Sequence, residues 1–155
     1  MAKPYVPVAR DIMITSVTVL KPEMKIFDAV SVLMRRWTSG APVVDTTGKL
    51  VGMLSEADCM TLMSSAAVFG FPEGKRVRDY MSDRVVCIEP HIDIFRISDL
   101  LMRNGFERVP VVKNGKLIGQ VSRREILSGM ERLRMEWARA RTFAVRPQGL
   151  QFAKV

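Results

Sequence analysis

The stretch Gly52-Met53-Leu54-Ser55-Glu56-Ala57-Asp58 decides the fold of this chain, because it occurs a second time as Gly119-Gln120-Val121-Ser122-Arg123-Arg124-Glu125. In each copy an apolar segment runs into a Gly, a Ser follows, and an acidic residue after the Ser opens an apolar helical pattern. This order predicts a strand that passes directly into a helix. The hydroxyl and the carboxylate would lie in the first helical turn, where free backbone N–H groups can bind an anion.

The internal similarity extends far beyond these two stretches, and such a repeat changes how every segment is interpreted. Pairs separated by 68 positions are Asp11/Asp79, Met13/Met81, Pro22/Pro90, Phe27/Phe95, Met34/Met102 and Pro42/Pro110. A one-residue deletion in a turn then changes the offset to 67, which pairs Gly48–Gly52 with Gly115–Gly119. The chain therefore contains two copies of one structural unit.

Each copy shows the same succession of periodic segments. Val17–Leu20 and Val85–Ile88 are short β-prone runs that end near a proline, and apolar residues at helical spacing follow them. A hairpin comes next, with Asn114-Gly115 as the turn of the second copy, and a closing helix begins at the Ser. The predicted fold class is α/β (α+β), with two β-α-β-β-α units.

A unit of this size hardly buries both faces of a three-stranded sheet by itself, so we expect the two repeats to pack together about a pseudo-twofold axis. The predicted boundaries are 8–64 for repeat 1, 65–76 for a connector, 77–131 for repeat 2 and 132–155 for a helical extension with a basic tail. The last helix carries an apolar stripe longer than the repeat needs, which favours a homodimer contact or a lid. Its residues are Ile126, Met130, Leu133 and Trp137.

Composition restricts the class of protein. Among the 155 residues, 48% are hydrophobic, no apolar run is long enough to span a bilayer, and the N-terminus lacks the regions of a signal peptide. We therefore expect a cytoplasmic protein without membrane contact. Residues 1–70 hold 7 Lys/Arg against 6 Asp/Glu, a net charge of +1, and residues 71–155 hold 17 against 10, a net charge of +7. This excess suggests an acidic partner, either nucleotide phosphates, nucleic acid or an acidic protein.

The residues give no support for catalysis or for a metal site. The single histidine, His91, follows a proline at a predicted helix start, and Cys59 and Cys87 match no metal spacing. Neither a nucleophile motif nor a P-loop is present. We expect no enzyme activity, no catalytic residue, no metal and no obligatory cofactor.

The doubled pattern of Asp-x-Met, Pro-Val-Val, Gly-Lys-Leu-(Val/Ile)-Gly and Gly-x-x-Ser-x-x-Asp/Glu resembles the tandem cystathionine β-synthase (CBS) domain pair, the Bateman module. The resemblance covers residues 8–131, and the remaining segments are too short for a further domain, so we expect a stand-alone pair. It implies a regulatory sensor that binds AMP, ADP, ATP or another adenosyl ligand in clefts between the repeats. The occupancy of those clefts would be signalled to a protein that the sequence does not identify.

The resemblance also implies two composite clefts, each with the Ser and acid of one repeat and a wall from the other. In what we call the first cleft, Ser55 and Asp58 would bind phosphate and ribose, and Gly52 would let the ligand approach the backbone. The wall of that cleft would consist of Asp83, Arg84, Val85, Glu107, Arg108 and Val109. In the second cleft the residues would be Ser122, Glu125, Arg108, Arg123, Thr15, Ser16, Val17, Ser39, Gly40 and Ala41. The first cleft would suit an adenosyl ligand of low negative charge, and the second a charged nucleotide.

Three alternatives stay open at this point. Ser122 and Glu125 also fit a capping box, which needs no ligand. The basic second half and the arginine-rich last helix could bind nucleic acid. A pair with both clefts empty could serve only for dimerisation and docking.

Overall fold

The computed structural model describes residues 4–144, with side chains described up to residue 141. These residues contain five helices and four strands, which follow one another in the order α1, α2, β1, β2, α3, α4, β3, β4, α5. The helices are α1 (Ala9–Ile12), α2 (Ile26–Arg35), α3 (Glu56–Phe69), α4 (Ile94–Asn104) and α5 (Arg123–Ala144), and the strands are β1 (Gly40–Val44), β2 (Leu50–Ser55), β3 (Arg108–Lys113) and β4 (Lys116–Ser122). A 3₁₀ turn, Val77–Asp79, precedes α4. The tail predicted at 145–155 lies outside the described residues.

Each repeat contains one antiparallel hairpin, β1–β2 or β3–β4, and each hairpin has a register shift in the middle. The second hairpin turns through Asn114-Gly115, whose φ angles of 52° and 78° are the positive values that a two-residue turn requires. The first turn is longer, and the Asp45 carboxylate accepts hydrogen bonds there from the backbone N–H groups of Thr47 and Lys49. The one-residue deletion inferred from the repeat is therefore confirmed as a difference between two turns.

The first strand predicted in each repeat is reduced to one bridging residue. Leu20 donates its N–H to Pro42 O at 2.9 Å and accepts from Val44 N–H at 3.0 Å, as Ile88 does with Pro110 and Val112. To lengthen this parallel ladder toward Val17, residue 42 would have to donate a backbone hydrogen bond, and proline has no N–H. The sequence expectation of a full strand was therefore wrong, although the mixed helix and strand fold class is confirmed.

The two repeats exchange the segments that precede them. Ala9 N–H bonds Ile92 O in repeat 2, and at the equivalent positions Val77 N–H bonds Met24 O in repeat 1. Ile14 likewise bridges Gln120 of β4, and Ser82 bridges Met53 of β2. Because every contact has its partner 67 or 68 positions away, the repeats are related by the predicted pseudo-twofold axis.

Two apolar cores result from this exchange. The repeat 1 core is built around Leu20, Leu33 and Leu54 and includes Val77, while the repeat 2 core is built around Ile97 and Val111 and includes Ala9 and Ile12. Both α2 and α4 bury residues at helical spacing, which confirms their amphipathic pattern. These buried residues are Ile26, Ala29 and Leu33 in α2, and Ile94, Ile97 and Leu101 in α4.

The last helix, α5, continues without interruption past the end of repeat 2. It approaches α4 closely at Gly129, where a Cβ atom would lie 2.6 Å from Ile94 Cδ1. Within residues 4–144, no helix combines the length and the hydropathy needed to cross a membrane.

Candidate functional site

A cavity of about 570 Å³ lies between the repeats, at the junction of β2 and α3. It is the first cleft, because Ser55 and Asp58 of repeat 1 line it together with side chains of repeat 2. The lining residues are Ser39, Gly40, Met53, Ser55, Glu56, Ala57, Asp58, Ser82, Arg84, Val85, Val86, Gly105, Phe106, Glu107, Arg108 and Pro110. A volume of this size is typical of a small-molecule site.

The first turn of α3 closes a capping box at the edge of the first cleft. Ser55 Oγ accepts a hydrogen bond from Asp58 N–H at 3.1 Å, and Asp58 Oδ2 accepts from Ser55 N–H at 2.8 Å and from Ser55 Oγ at 2.7 Å. Asp58 Oδ1 takes no part in this capping box. The box therefore fixes Ser55 and Asp58 in place and leaves one carboxylate oxygen of Asp58 for a ligand.

The equivalent turn of α5 is also capped by its serine and its acidic residue, although a different backbone N–H donates to the serine hydroxyl. Glu125 Oε2 accepts from Ser122 N–H at 2.8 Å and from the Ser122 hydroxyl, and Arg124 N–H donates to Ser122 Oγ at 3.2 Å. Both motifs thus adopt the ligand-free capping arrangement that the sequence suggested only for Ser122 and Glu125. Capping by itself does not distinguish the two clefts.

Four polar side chains meet between the repeats, close to the pseudo-twofold axis. Arg108 Nη1 donates to Thr38 Oγ1 at 2.8 Å, and Arg108 Nη2 lies 3.4 Å from Ser39 Oγ. The Ser39 hydroxyl donates to the Glu107 carboxylate, which lies 3.9 Å from the guanidinium of Arg108. We call Thr38, Ser39, Glu107 and Arg108 the axial cluster. It links the ends of the two hairpins with hydrogen bonds that cross from one repeat to the other.

The axial cluster breaks the symmetry of the repeats. Position 40 in repeat 1 corresponds to position 108 in repeat 2, so a glycine stands where the other copy has Arg108. A Cβ atom at Gly40 would lie 3.0 Å from Leu54 O, which leaves little room for a second arginine. Arg108 therefore supplies a cation on one side of the axis alone.

Several predicted wall residues lie elsewhere than the sequence suggested. Ser39 and Gly40 were assigned to the second cleft, and the structure places them in the lining of the first, together with Arg108, which was assigned to both. The reason is that the hairpin ends meet at the axis, where one side chain can reach across. Ala41 and Val109 have exposed fractions of 1% and 0%, and each lies in an apolar core, so neither lines a cleft.

Gly52 also has a different environment from the one expected. A Cβ atom there would lie 2.6 Å from Met81 Sδ and 3.0 Å from Ser82 O, and at Gly119 it would lie 2.6 Å from Met13 Sδ and 2.8 Å from Ile14 O. Each glycine thus makes room for the segment exchanged from the other repeat. Packing between repeats accounts for both glycines without a ligand.

The other residues assigned to the second cleft are less enclosed. Thr15 and Ser16 are exposed, and Ser16 and Val17 line a cavity of about 560 Å³ together with Arg35 and Arg36 at the end of α2. Arg123 donates through Nε to Phe106 O at 3.1 Å. The lining of that cavity includes neither Ser122 nor Glu125, so the structure does not bring all the residues assigned to the second cleft into one cavity.

Electrostatics distinguish the first cleft from a simple phosphate site. Arg84 and Arg108 contribute positive charge to its lining, while Glu56, Asp58 and Glu107 contribute negative charge. The N-terminus of α3 adds a partial positive charge where it begins at Glu56. Burial raises the pKa of the Cys59 thiol, and the neighbouring carboxylates of Asp58 and Glu56 raise it further.

Sequence reasoning missed several residues of the first cleft and its border. Met53, Val86 and Phe106 line the cavity, and Thr38 accepts the hydrogen bond of Arg108. Three of them could have been found from the predicted site residues. Thr38 directly precedes Ser39, and Met53 and Phe106 lie two positions before Ser55 and Arg108, on the same side of an extended segment. Among residues 4–144, no group of three His, Cys, Asp or Glu side chains could hold a metal ion.

Comparison with known proteins gives a consistent family. The family model described as "CBS domain" matches residues 9–65 and 77–132. The uncharacterized protein MJ1225 of Methanocaldococcus jannaschii is 27% identical over 129 residues, which cover 83% of this chain and 44% of that protein. Inosine-5'-monophosphate dehydrogenase of the same organism is 30% identical over 120 residues, which cover 77% of this chain and 23% of the enzyme. The chain thus spans less than half the length of these curated relatives.

Solved structures agree with the family model. The CBS-pair protein CBSX2 from Arabidopsis thaliana superimposes with a TM-score of 0.75 at 26% identity, over 84% of this chain and 99% of that one. A crystal structure of CBSX2 in complex with AMP gives a TM-score of 0.72, also at 26% identity, over 83% and 98% of the two chains. Since the matched residues make up well over half of the sequence, the chain belongs to the CBS domain family and carries two CBS domains in tandem.

Proposed function

We propose that this chain is a non-catalytic regulatory module that binds an adenine nucleotide or another adenosyl ligand between its CBS domains and signals its occupancy to a partner protein. The observation that carries this proposal is the first cleft. There, a helix N-terminus with Ser55 and Asp58 from one repeat faces Arg84 and Arg108 from the other across a cavity of about 570 Å³. Both repeats would contact one bound molecule.

Each side of the first cleft would bind a different part of the ligand. Phosphate oxygens would lie near the α3 N-terminus, whose partial positive charge attracts an anion. The Ser55 hydroxyl donates to Asp58 Oδ2 and would have to exchange that bond for one to the phosphate. Asp58 Oδ1 can accept from a ribose hydroxyl, since only Oδ2 closes the capping box. The half-buried side chains of Met53, Val85 and Phe106 offer an apolar surface to a flat base.

Charge favours a ligand with few phosphates in the first cleft. The lining holds two arginines against three carboxylates, so the phosphates of ATP would meet net repulsion there. AMP or an uncharged or cationic adenosyl ligand fits better. Ser16 and Val17, which were assigned to the second cleft, line a cavity with Arg35 and Arg36, and this charge would suit a more highly charged nucleotide.

The relatives support an adenosyl ligand. CBSX2, whose fold covers most of this chain at 26% identity, was crystallised with AMP. The hydrogen bonds of the axial cluster join the repeats beside the first cleft. A ligand bound there would therefore change how the two repeats sit against each other. A ligand that binds one arrangement of the repeats more tightly shifts the population toward it and changes the surface shown to a partner.

We further propose that the module is a homodimer. Large apolar side chains remain exposed on its helices, and a groove of about 510 Å³ runs between α4 and α5. The apolar residues of this groove include Phe95, Met130, Leu133 and Trp137. Light scattering would give the mass of a dimer, and Trp137→Glu would shift it toward the monomer.

Calorimetry with AMP, ADP, ATP, NAD and S-adenosylmethionine tests the ligand proposal. We expect binding to the wild type and a loss of about tenfold or more in Asp58→Ala or Glu125→Ala, because each change removes a hydrogen-bonding carboxylate from its cleft. Both substitutions also weaken a helix cap, which costs about 1 kcal/mol of stability.

The matched control for the lost cap is Asp93→Ala. Asp93 caps α4 by accepting from Arg96 N–H at 3.0 Å and does not line the first cleft. It should lose similar stability and keep its ligand affinity. Unchanged affinity in both Asp58→Ala and Glu125→Ala would overturn the site assignment. Binding of nucleic acid that weakens steeply with salt, without any response to adenosyl ligands, would replace the proposal with the nucleic-acid alternative.

A further inference from the structure

A buried amide lies beside the second cleft and has no role in the fold as described. Gln120 of β4 is only 3% exposed, and its Oε1 atom has no hydrogen-bond partner among residues 4–144. Its backbone is fully used, since Gln120 exchanges two hydrogen bonds of 3.0 Å with Ile14. Buried polar atoms in proteins are almost always paired, so an unpaired amide oxygen at this position needs an explanation.

The strand geometry gives the direction of the Gln120 side chain. Successive residues of a strand point to opposite faces, and the next residue, Val121, is 0% exposed in the repeat 2 core. Gln120 therefore points away from that core, to the same side as Ser122. Ser122 opens the turn that forms the second cleft.

The other repeat shows what occupies the equivalent position. Met53 lies 67 positions earlier, bridges Ser82 as Gln120 bridges Ile14, and lines the first cleft beside Ser55. Gln120 thus holds in the second cleft the place that Met53 holds in the first. A thioether offers only dispersion contacts and a weak acceptor there, whereas an amide offers one acceptor and two donors.

We propose that Gln120 sets the base specificity of the second cleft and selects a purine that carries an exocyclic amine. Oε1 accepts a hydrogen bond from that amine, and Nε2 donates to the ring nitrogen N7, which is the bidentate pairing that an amide makes with adenine. The 6-oxo purines present an acceptor in place of the amine and lose this pairing. The first cleft, with Met53, has no such discrimination. This inference rests on the proposed function, because it requires that the second cleft takes a nucleotide.

The test compares AMP with inosine monophosphate, in which an oxo group replaces the amine. Calorimetry is done on full-length protein carrying Asp58→Ala, which removes the carboxylate of the first cleft. We expect a preference for AMP of roughly tenfold in this background, and its reduction to near unity when Gln120→Met is added. The reciprocal variant, Met53→Gln combined with Glu125→Ala, should give the first cleft a preference for AMP.

Thermal unfolding of the Gln120→Met protein provides the second measurement. We expect its melting temperature to equal or exceed that of its parent, because an apolar side chain replaces an unpaired buried amide. An unchanged ratio of the two affinities would overturn the inference, and Gln120 would then be only a buried amide. If the Asp58→Ala protein binds neither nucleotide while the wild type binds AMP, the inference fails and the proposed function stands on the first cleft. If the wild type binds no adenosyl ligand, both fail.

Discussion

The first and second clefts share their backbone and differ in the side chains around it. In both, a carboxylate closes a capping box with the Ser before it, and in both a glycine lies against a methionine of the exchanged segment. The differences include four pairs in which at least one residue lines the first cleft. Met53 corresponds to Gln120, Gly40 to Arg108, Ser39 to Glu107 and Glu56 to Arg123.

This comparison shows which positions the doubled fold requires. The backbone hydrogen bonds that hold the repeats together recur in both copies although the residues that make them differ, because the pseudo-twofold axis gives them equivalent neighbours. Residues that face the clefts can differ between the repeats. Near the axis there is room for one long side chain, Arg108, and its counterpart in repeat 1 is Gly40. Two sites of unlike charge and base preference are the expected result.

The largest predicted effect is the loss of stability caused by Gly119→Ala, which is compared with Gly52→Ala in the other repeat. The new Cβ would lie 2.8 Å from Ile14 O, a backbone atom that cannot move away alone. We expect urea unfolding to show a loss of about 2 kcal/mol or more in the free energy of unfolding. Gly52→Ala should cost less, since the backbone atom that its Cβ would meet, Ser82 O, lies at 3.0 Å, and Met81→Ala should partly restore the stability by removing the side chain 2.6 Å away.

A second prediction concerns the arginine that breaks the symmetry. Arg108→Met removes the hydrogen bond to Thr38 Oγ1 and should lower the free energy of unfolding by about 1.5 kcal/mol. The matched control is Arg84→Met, because Arg84 lines the same cavity and is exposed. Its stability should change by about 0.5 kcal/mol at most. Equal losses in both variants would contradict the structural role of the axial cluster.

A third prediction tests charge in the first cleft. Glu107→Gln keeps an acceptor for the Ser39 hydroxyl and removes a negative charge beside Arg108. The affinity for AMP should rise by roughly threefold, since exposed charge interactions contribute up to about 1 kcal/mol. Glu73→Gln, on the exposed connector, is the control and should leave the affinity unchanged. A fall in affinity would mean that Glu107 itself contacts the ligand.

The smallest expected effect uses a thiol found only beside the first cleft. Cys59 follows Asp58, and the equivalent residue after Glu125 is Ile126. Burial raises the pKa of the Cys59 thiol, and the Asp58 carboxylate contributes to this rise. In a Cys87→Ser background, Asp58→Asn should lower that pKa and speed the reaction with a thiol reagent at pH 8 by about twofold to threefold, because more thiolate is present. Glu125→Gln should leave the rate unchanged.

Much of the fold could be predicted from the sequence, because the two copies of the repeat independently predict the same elements. The amphipathic helices, the hairpins, the Asn114-Gly115 turn and the helix starts at Ser55 and Ser122 all depend on local spacing and turn chemistry. The short first strands did not follow, since the limit on them is the missing N–H of Pro42 and Pro110 in the neighbouring strand. A strand propensity cannot reveal which residue of another strand lies opposite.

The candidate site was only partly predictable for a similar reason. Ser55, Asp58, Arg84 and Val85 lie together in the first cleft, as the motif and the resemblance suggested. The doubled unit, its helices and hairpins and the two capped turns could be predicted from the sequence, because they depend on neighbours within a few positions along the chain. Three features could not: that Ser39 and Gly40 line the first cleft, that Gly52 packs on Met81, and that the side-chain oxygen of Gln120 is buried without a partner among residues 4–144. Each of these depends on the exchange of segments across the axis, which brings together residues that are about 30 to 110 positions apart.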